Sequence, residues 1–269
     1  MDTTHIFFKQ IDFCLYSIAL LIFIIEINLS SFALKTHLED LEEIRNIALN
    51  NNCKLFDVRH PTTTFNVGSG VSRSGKRLLT VGTDCSVGKM YTALAIAQDL
   101  KSRGIPSDFR ATGQTGIFIA GSGVSVDAVV ADFISGATES LSPENNPNHW
   151  DLIEGQGSLF HPSYAGVTMG LIHGAQPDAL VLCHEPTRSH MRGLAHQPIP
   201  DIKSCIDLHL NAAKLTNANA VCIGISVNTS GLSNEAERQD YLSGIESGTG
   251  LPAIDPVIDG VASITKFMK

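Results

Sequence analysis

One short stretch constrains this sequence more than any other, because it joins a predicted strand to a predicted helix through a loop framed by glycines. Arg77–Val81 is apolar enough for a buried strand, and Gly88–Leu100 carries apolar side chains at helical spacing. A phosphate needs converging backbone N–H groups, a helix N-terminus and a cation, which here is a lysine. The stretch predicts a phosphate-binding loop, with a purely structural turn as the alternative, made of Gly82, Thr83, Asp84, Cys85, Ser86, Val87, Gly88, Lys89 and Met90.

The residue after the lysine argues against magnesium-dependent chemistry in this loop. The spacing GxxxxxGK is one residue longer than the usual P-loop, which continues with a Ser or Thr that binds Mg²⁺. Met90 stands at that position and cannot be a magnesium ligand, although Ser86 or Thr92 could replace it. The simpler inference is an anion cradle without metal-assisted nucleotide hydrolysis. A phosphorylated co-substrate such as coenzyme A needs the cradle and not the magnesium.

Further apolar runs alternate with helical patterns or long loops along the rest of the chain. They predict strands at Asp108–Thr112, Trp150–Glu154, Ala179–Cys183, Ala220–Val227 and Leu251–Ile254. Runs that are apolar throughout are typical of strands covered on both faces. The predicted fold class is therefore α/β, a P-loop NTPase-like parallel sheet flanked by helices, with ligands at the carboxyl ends of the strands.

The chain ahead of this sheet has a different pattern. Residues 36–49 have helical spacing, Cys53–Val58 reads as a short strand, and residues 60–75 are rich in Pro, Gly and Ser. We place a domain boundary in that linker. The predicted organisation is an atypical hydrophobic segment (1–35), an N-terminal α/β remnant with its linker (36–75) and a P-loop α/β domain (76–269).

The apolar run Phe13–Ile25 accounts for much of the positive mean hydropathy of +0.10. Glu26 and Asn28 interrupt it before the roughly 20 residues that a spanning helix needs. A membrane or export signal and a structural remnant both stay open. The six cysteines show no CxxC pattern and predict reduced thiols of a cytoplasmic protein.

Two further motifs follow predicted strands. Glu154 begins Glu-Gly-Gln-Gly at the end of one strand and is a candidate general base. A second strand ends in Cys183-His-Glu-Pro-Thr-Arg-Ser-His-Met-Arg192, which offers proton carriers and two arginine forks for a carboxylate or phosphate. Each motif has a plain alternative, a glycine-rich turn or a solvated polar loop. The candidate catalytic residues are Glu154, His184 and Glu185, and the candidate substrate-binding residues are Gln114, Arg188, His190, Arg192 and Asn228.

The net charge of the chain limits the kinds of partner that it can bind. The formal net charge is −8, and no basic stripe is present, which argues against nucleic acid because phosphate neutralisation supplies most non-specific affinity. We expect a small-molecule substrate, no bound metal and no membrane partner for the α/β part. The oligomeric state stays open, a homo-oligomer included.

These motifs together resemble a known family. The stretches Thr80–Met90, Ala111–Gly116, Ile153–Ser158, Gln176–Pro186 and Asn228–Gly231 are similar to those of the D-glutamate (D-amino-acid) N-acetyltransferases, a family long catalogued as a domain of unknown function. Its P-loop domain resembles that of dethiobiotin synthetase, and in it Met follows the P-loop Lys. The resemblance covers about residues 36–265. Members carry an N-terminal α/β domain, of which this chain keeps only about residues 36–60.

The resemblance implies transfer of an acetyl group from acetyl-CoA to the amino group of a D-amino acid, with D-glutamate as the type substrate. It also implies that the Gly82–Lys89 loop holds the phosphates of the co-substrate. Two alternatives stay open: an ATP-dependent ligase or kinase of the dethiobiotin synthetase type, which Met90 disfavours, and a non-catalytic nucleotide- or CoA-binding module. We expect acetyl-CoA as the co-substrate, ahead of Mg-ATP.

Overall fold

The structure is a computed structural model, and it describes residues 36–269. The interpretations placed on the apolar run 13–25 lie outside the described residues. Within the described part, no helix is both long and apolar enough to cross a membrane. The chain divides into two compact units, one ending at His60 and one spanning Pro61–Lys269.

The described part of the first unit contains one 3₁₀ turn and one helix, followed by irregular residues. A 3₁₀ turn at Leu38–Asp40 precedes helix α1 at Glu42–Asn50, which confirms most of the predicted helix. The predicted strand Cys53–Val58 is wrong, since these residues are irregular. The Asp57 carboxylate accepts hydrogen bonds from the backbone N–H groups of Leu38, Arg59 and His60. A side chain therefore pairs with these backbone groups, and not the neighbouring strand that a β-strand here would need.

The second unit is built on a six-stranded parallel sheet in the order β2-β3-β1-β4-β7-β8. This confirms the predicted fold class. The central strands β1 and β4 are almost entirely buried, as the continuous apolar runs required. The strands of this sheet are β1 Lys76–Gly82, β2 Ser107–Arg110, β3 Trp150–Ile153, β4 Ala179–His184, β7 Val221–Val227 and β8 Ala253–Ile254. An antiparallel hairpin of β5 (His190–Met191) and β6 (Leu194–Pro198) was not predicted.

Helices cover both faces of this sheet. The helices are α2 Lys89–Ser102, α3 Gln114–Ala120, α4 Ile134–Leu141, α5 Ala165–Ala175, α6 Ile202–Lys214, α7 Glu235–Thr249 and α8 Ala262–Thr265, with 3₁₀ turns at Val126–Ala128 and Ala131–Phe133. One face of the sheet packs α5, α6 and α7 against the alternate strand residues Leu79, Val81 and Leu182, and the other packs α2 and α8 against Leu78 and Val181.

The end of the predicted linker is part of the second unit and is held there by hydrogen bonds. Arg73 donates to the backbone oxygens of Glu139, Ser142 and Gly174, and the Glu139 carboxylate accepts from the backbone of Ser69. Burial lowers the pKa of Arg73 to about 10. The placing of the domain boundary within 60–75 stays a prediction.

The cysteine prediction holds in part. Cys85, Cys183, Cys205 and Cys222 are free thiols. Cys53 is disulfide-bonded, so the expectation of reduced thiols throughout is wrong at that position.

Candidate functional site

The candidate residues gather at one edge of the sheet because its strands are parallel. β1 ends in the predicted phosphate loop, β3 leads into Glu154, β4 ends at His184 and β7 leads into Asn228. In parallel sheets ligands bind outside the carboxyl ends of the strands. These residues are far apart in sequence, and they come together because each follows or ends a strand at its carboxyl end.

The phosphate loop closes tightly between β1 and α2. Gly88 has φ of +99°, a left-handed conformation at the start of α2, and a Cβ on Gly82 would lie 2.8 Å from Val87 Cγ2 and 3.0 Å from the Asp84 carbonyl oxygen. Both glycines are therefore required by the geometry. Lys89 is buried, and its Nζ donates to the Asp84 carbonyl oxygen over 2.7 Å.

The charge of Lys89 has no carboxylate partner at ion-pair distance anywhere in residues 36–269. Burial lowers the pKa of this ammonium, because desolvation penalises its charged form. An anion in the loop would supply the missing counter-charge at the N-terminus of α2.

The β5–β6 hairpin and the turn before it contact the loop from outside. Arg188 Nη1 donates to Asp84 Oδ2 over 2.7 Å and to the Cys85 carbonyl over 2.6 Å. The Arg192 backbone N–H donates to the same Asp84 oxygen over 2.7 Å, and its guanidinium donates to Ser86 Oγ. Arg188 therefore braces the loop, while the Arg192 side chain is exposed beside it. Their predicted role in substrate binding stays a prediction.

Glu154 is buried and held by three donors. Its Oε2 accepts from the backbone N–H groups of Thr112 (2.9 Å) and Gly113 (3.1 Å), and its Oε1 accepts from Gln156 Nε2 (3.1 Å). Burial raises the pKa of the Glu154 carboxyl, although these hydrogen bonds and nearby Lys89 act against the rise. A carboxyl with a raised pKa and a fixed orientation suits a general base.

His184 is a buried, neutral imidazole with both ring nitrogens engaged. Nδ1 lies 3.0 Å from Thr83 Oγ1 in the phosphate loop, and Nε2 lies 2.8 Å from the Tyr241 hydroxyl on α7. Burial lowers the pKa of His184 to about 4. The sequence did not single out Tyr241, because it stands in an ordinary helical pattern and meets His184 only in the folded chain.

The other candidates hold local structure. Glu185 accepts from the Thr187 backbone and pairs with Arg188 Nε at 3.3 Å, so its carboxylate shapes the turn after β4. Asn228 is exposed, and its side-chain oxygen accepts a hydrogen bond from the Ser230 backbone N–H, so the side chain caps the turn after β7. Gln114 is half-buried at the first residue of α3, and His190 is exposed on β5 with its ring beside Ser189 Oγ. Their substrate-binding roles stay predictions.

Two residues that sequence reasoning left aside also support the loop. Ser158 Oγ donates to the Thr83 carbonyl, and His161 Nε2 lies 3.1 Å from the Arg192 carbonyl. His161, Asp84 and Cys85 place donor atoms within 4.8 Å of one another. The His161 Nδ1 lone pair already accepts from the Ser163 backbone N–H, so this ring has no free acceptor for a metal ion.

The alternative magnesium ligands differ in availability. Thr92 Oγ1 donates to the Gly88 carbonyl and lies 2.8 Å from Ser226 Oγ, so this buried hydroxyl is already in use. Ser86 is exposed at φ of +55° and contacts Arg192, a cation, through its hydroxyl. Both hydroxyls are therefore already engaged by partners within the protein.

We expect Gly155→Ala to disrupt this site and destabilise the protein. A Cβ at Gly155 would lie 1.7 Å from the Thr80 carbonyl oxygen of β1, so strand and turn must separate. Overpacking of this kind in a packed core typically costs about 1–3 kcal/mol and occasionally more. Thermal unfolding measures the loss, and Gly166→Ala is the control because an added Cβ there meets no atom within 4 Å. Equal melting temperatures for the two variants would contradict the prediction.

A parallel sheet whose central strand leads through a glycine-framed loop and a lysine into a helix defines a P-loop domain. Residues 66–265 match the family model described as "Domain of unknown function (DUF1611_C) P-loop domain", and the chain belongs to this DUF1611 family. This confirms the resemblance drawn from the motifs.

Individual relatives agree with that membership. The chain is 55% identical over 227 residues to a D-glutamate N-acetyltransferase of Pseudoalteromonas sp, covering 84% of this chain and 68% of that protein. It is 53% identical, with the same coverage, to a D-glutamate N-acetyltransferase of Tritonibacter scottomollicae. The crystal structure of a DUF1611 family protein from Anabaena variabilis superposes with a TM-score of 0.74 at 37% identity, covering 81% of this chain and 66% of that one.

Proposed function

We propose that this protein transfers an acetyl group from acetyl-CoA to the amino group of a D-amino acid such as D-glutamate. The relatives named D-glutamate N-acetyltransferase support the transferase class and the acceptor. The observation that supports the choice of donor is the buried Lys89 in a glycine-framed loop, whose ammonium forms no ion pair within 4 Å among residues 36–269 and would be neutralised by a phosphate. Coenzyme A carries acyl groups and contains phosphates, so acetyl-CoA meets both requirements.

In this proposal the loop and the hairpin share the binding of the donor. Lys89 and the backbone N–H groups of the loop hold a phosphate, and the exposed Arg192 side chain beside Ser86 adds a second cation. Arg188 keeps the loop in shape through Asp84. A residue that braces the loop affects donor binding without contacting the reacting atoms.

Glu154 is the proposed general base. The substrate ammonium gives one proton to Glu154, and the free amine then forms a C–N bond to the thioester carbonyl carbon. The C–S bond breaks, the nitrogen loses its second proton, and the leaving thiolate takes up a proton, so that coenzyme A departs as the thiol. His184 is less suited, because a pKa of about 4 makes it a weak proton acceptor. Glu154 follows β3 and His184 ends β4, with β1 between them, so the two lie on opposite sides of the loop, about 10 Å apart by strand spacing.

A thiol-release assay tests the proposal. We expect free thiol to appear when acetyl-CoA and D-glutamate are supplied together, and little with L-glutamate or with either reactant alone. A parallel assay measures ADP from ATP with Mg²⁺ and the same amino acids. ADP formation without thiol release would favour the ligase or kinase alternative, and binding of CoA without either product would favour the non-catalytic one.

The proposal extends to the binding partners and the cellular location of the protein. The net charge of −8 supports a small-molecule enzyme that binds no nucleic acid. Four free thiols support a cytoplasmic location, with the disulfide-bonded Cys53 as the exception.

A further inference from the structure

Three side chains that are common metal ligands meet within the first unit. His60 Nδ1 lies 2.9 Å from Asp57 Oδ2, and His37 Nδ1 lies 3.7 Å from the same oxygen. Each residue offers one ligand atom, and these three atoms lie within 4.8 Å of one another. The two imidazole rings are neighbours, with centroids 4.1 Å apart. The proposed transfer reaction uses none of these residues, which we call the His37–Asp57–His60 cluster.

The spacing of the ligand atoms suits a single metal ion. Bonds from zinc to imidazole nitrogen or carboxylate oxygen are about 2.0–2.2 Å long, so neighbouring ligands in a tetrahedron lie about 3.3–3.5 Å apart. The two measured distances, 2.9 Å and 3.7 Å, fall on either side of that range. The His37 side chain is 56% exposed, so its ring has room to adjust and an ion can reach it from solvent.

The backbone holds the Asp57 carboxylate in place. Oδ1 accepts from the N–H groups of Arg59 (3.1 Å) and His60 (3.2 Å), and Oδ2 accepts from that of Leu38 (3.0 Å). Hydrogen bonds of this kind orient the ligands of metal sites. Oδ2 has two lone pairs, and one of them faces Leu38. The other can accept from only one imidazole N–H, whereas a metal ion there would bind this oxygen and both ring nitrogens.

A metal ion would also balance the charge of Asp57. In the described part of the chain, the only basic groups at ion-pair distance from this carboxylate are the two histidines. A comparable cluster of Asp108, His149 and Asp151 in the second unit differs in this respect. There Arg110 Nε donates to Asp151 Oδ1 over 2.8 Å, so a guanidinium already supplies the positive charge.

We propose that His37, Asp57 and His60 bind one divalent transition-metal ion, and that this ion holds the chain before α1 to the chain after it. Two imidazole nitrogens and a carboxylate oxygen suit Zn²⁺, with water at the remaining position. Leu38 and Asp57 are 19 residues apart, so the ligands are too distant in sequence to form a recognisable spacing. The inference is independent of the proposed acetyl transfer and departs from the sequence-based expectation of no bound metal.

Calorimetric titration of the chelator-treated full chain with ZnSO₄ tests the site. His37→Gln and His60→Gln each remove one ligand nitrogen, and the exposure of His37 should allow the chain to fold without it. His196→Gln is the matched control, because this exposed histidine belongs to no such cluster in residues 36–269. His149→Gln tests the cluster that contains Asp108 in the same way. The melting temperature without metal checks that each variant is folded.

We expect the unsubstituted protein to bind one Zn²⁺ at the His37–Asp57–His60 cluster. Loss of a group that merely orients a ligand costs about 10–100-fold in metal affinity, so each of the two ligand variants should weaken binding at least tenfold. His149→Gln and His196→Gln should stay within twofold. Bound Zn²⁺ should also slow hydrogen exchange at the Leu38 N–H in the unsubstituted protein, and leave it unchanged in His37→Gln.

Three results would overturn the inference. No uptake of Zn²⁺ by the unsubstituted protein, or unchanged affinity in both ligand variants, would show that this cluster binds no metal. Loss of binding in His149→Gln in place of the ligand variants would move the ion to the second unit. Zinc binding without slower exchange at Leu38 would exclude the connection across α1. These measurements do not use acetyl transfer, so their outcome is separate from that of the thiol-release assay.

Discussion

Lys89→Met should abolish most donor binding while leaving the protein folded. Methionine preserves the length and apolar stem of the side chain but removes the charge that the loop offers to a phosphate. Losing a desolvated charge contact costs roughly 2–4 kcal/mol, which corresponds to about 30-fold to 1,000-fold in affinity. We expect kcat/KM for acetyl-CoA, and the affinity for CoA by calorimetry, to fall by that factor.

The melting temperature separates this effect from unfolding. In the free protein the Lys89 ammonium is buried without a carboxylate partner among the described residues, so replacing it by an apolar side chain should leave stability unchanged or raise it. Lys101→Met at the other end of α2 is the control, because Lys101 is exposed in the last turn of the same helix. A Lys89→Met protein that binds CoA within twofold of the original would rule out the phosphate-binding role of this lysine.

Sequence was sufficient for the sheet and its loop because their signals are local. Strands buried on both faces are mostly apolar, and Ala179–Cys183 within β4 shows this in an unbroken run. The loop needs glycine at position 82, where a Cβ would lie 2.8 Å from Val87 Cγ2 and 3.0 Å from the Asp84 carbonyl oxygen, and a glycine can be read directly from the sequence. The predicted strand Cys53–Val58 is wrong because a short apolar run forms a strand only beside a partner strand.

The rest of the site depends on contacts that no local pattern reports. Arg188 binds Asp84 across 104 residues, and Tyr241 meets His184 across 57. Arginine in a polar loop and tyrosine in a helix are unremarkable until the chain folds around them. The sequence therefore identified which loop carries the arginines, and the structure shows that Arg188 braces the phosphate loop.

Glu154→Gln should reduce turnover more than any other change on the β3 side of the loop. The amide keeps the shape and an oxygen that can accept from Thr112 and Gly113, but it cannot take a proton from the substrate. Loss of a general base costs about 10²–10⁴-fold in rate. We expect kcat with D-glutamate to fall by that factor and CoA affinity to change less than twofold, since the carboxylate is not proposed to hold phosphate.

A matched control comes from another glutamate held by backbone donors. Glu139 accepts from the N–H groups of Ser69 and Gly70, at 2.9–3.0 Å, so Glu139→Gln repeats the loss of a carboxylate bound to backbone away from the phosphate loop. We expect it to lower stability modestly and to leave kcat within twofold. A similar loss of kcat in both variants would point to a structural role for Glu154.

The pH profile decides whether Glu154 acts through its proton. Because burial raises its pKa, the carboxyl begins to protonate at a higher pH than an exposed glutamate does, and the base form disappears as the pH falls through that value. The acid limb of kcat/KM for D-glutamate should therefore lie above the ordinary glutamate range near 4.3. In Glu154→Gln that limb should vanish, leaving a low and nearly flat activity on the acid side. A limb that persists in the variant with the same midpoint would mean that another group carries the proton, and Glu154 would then be a residue that positions Thr112 and Gly113 at the start of α3.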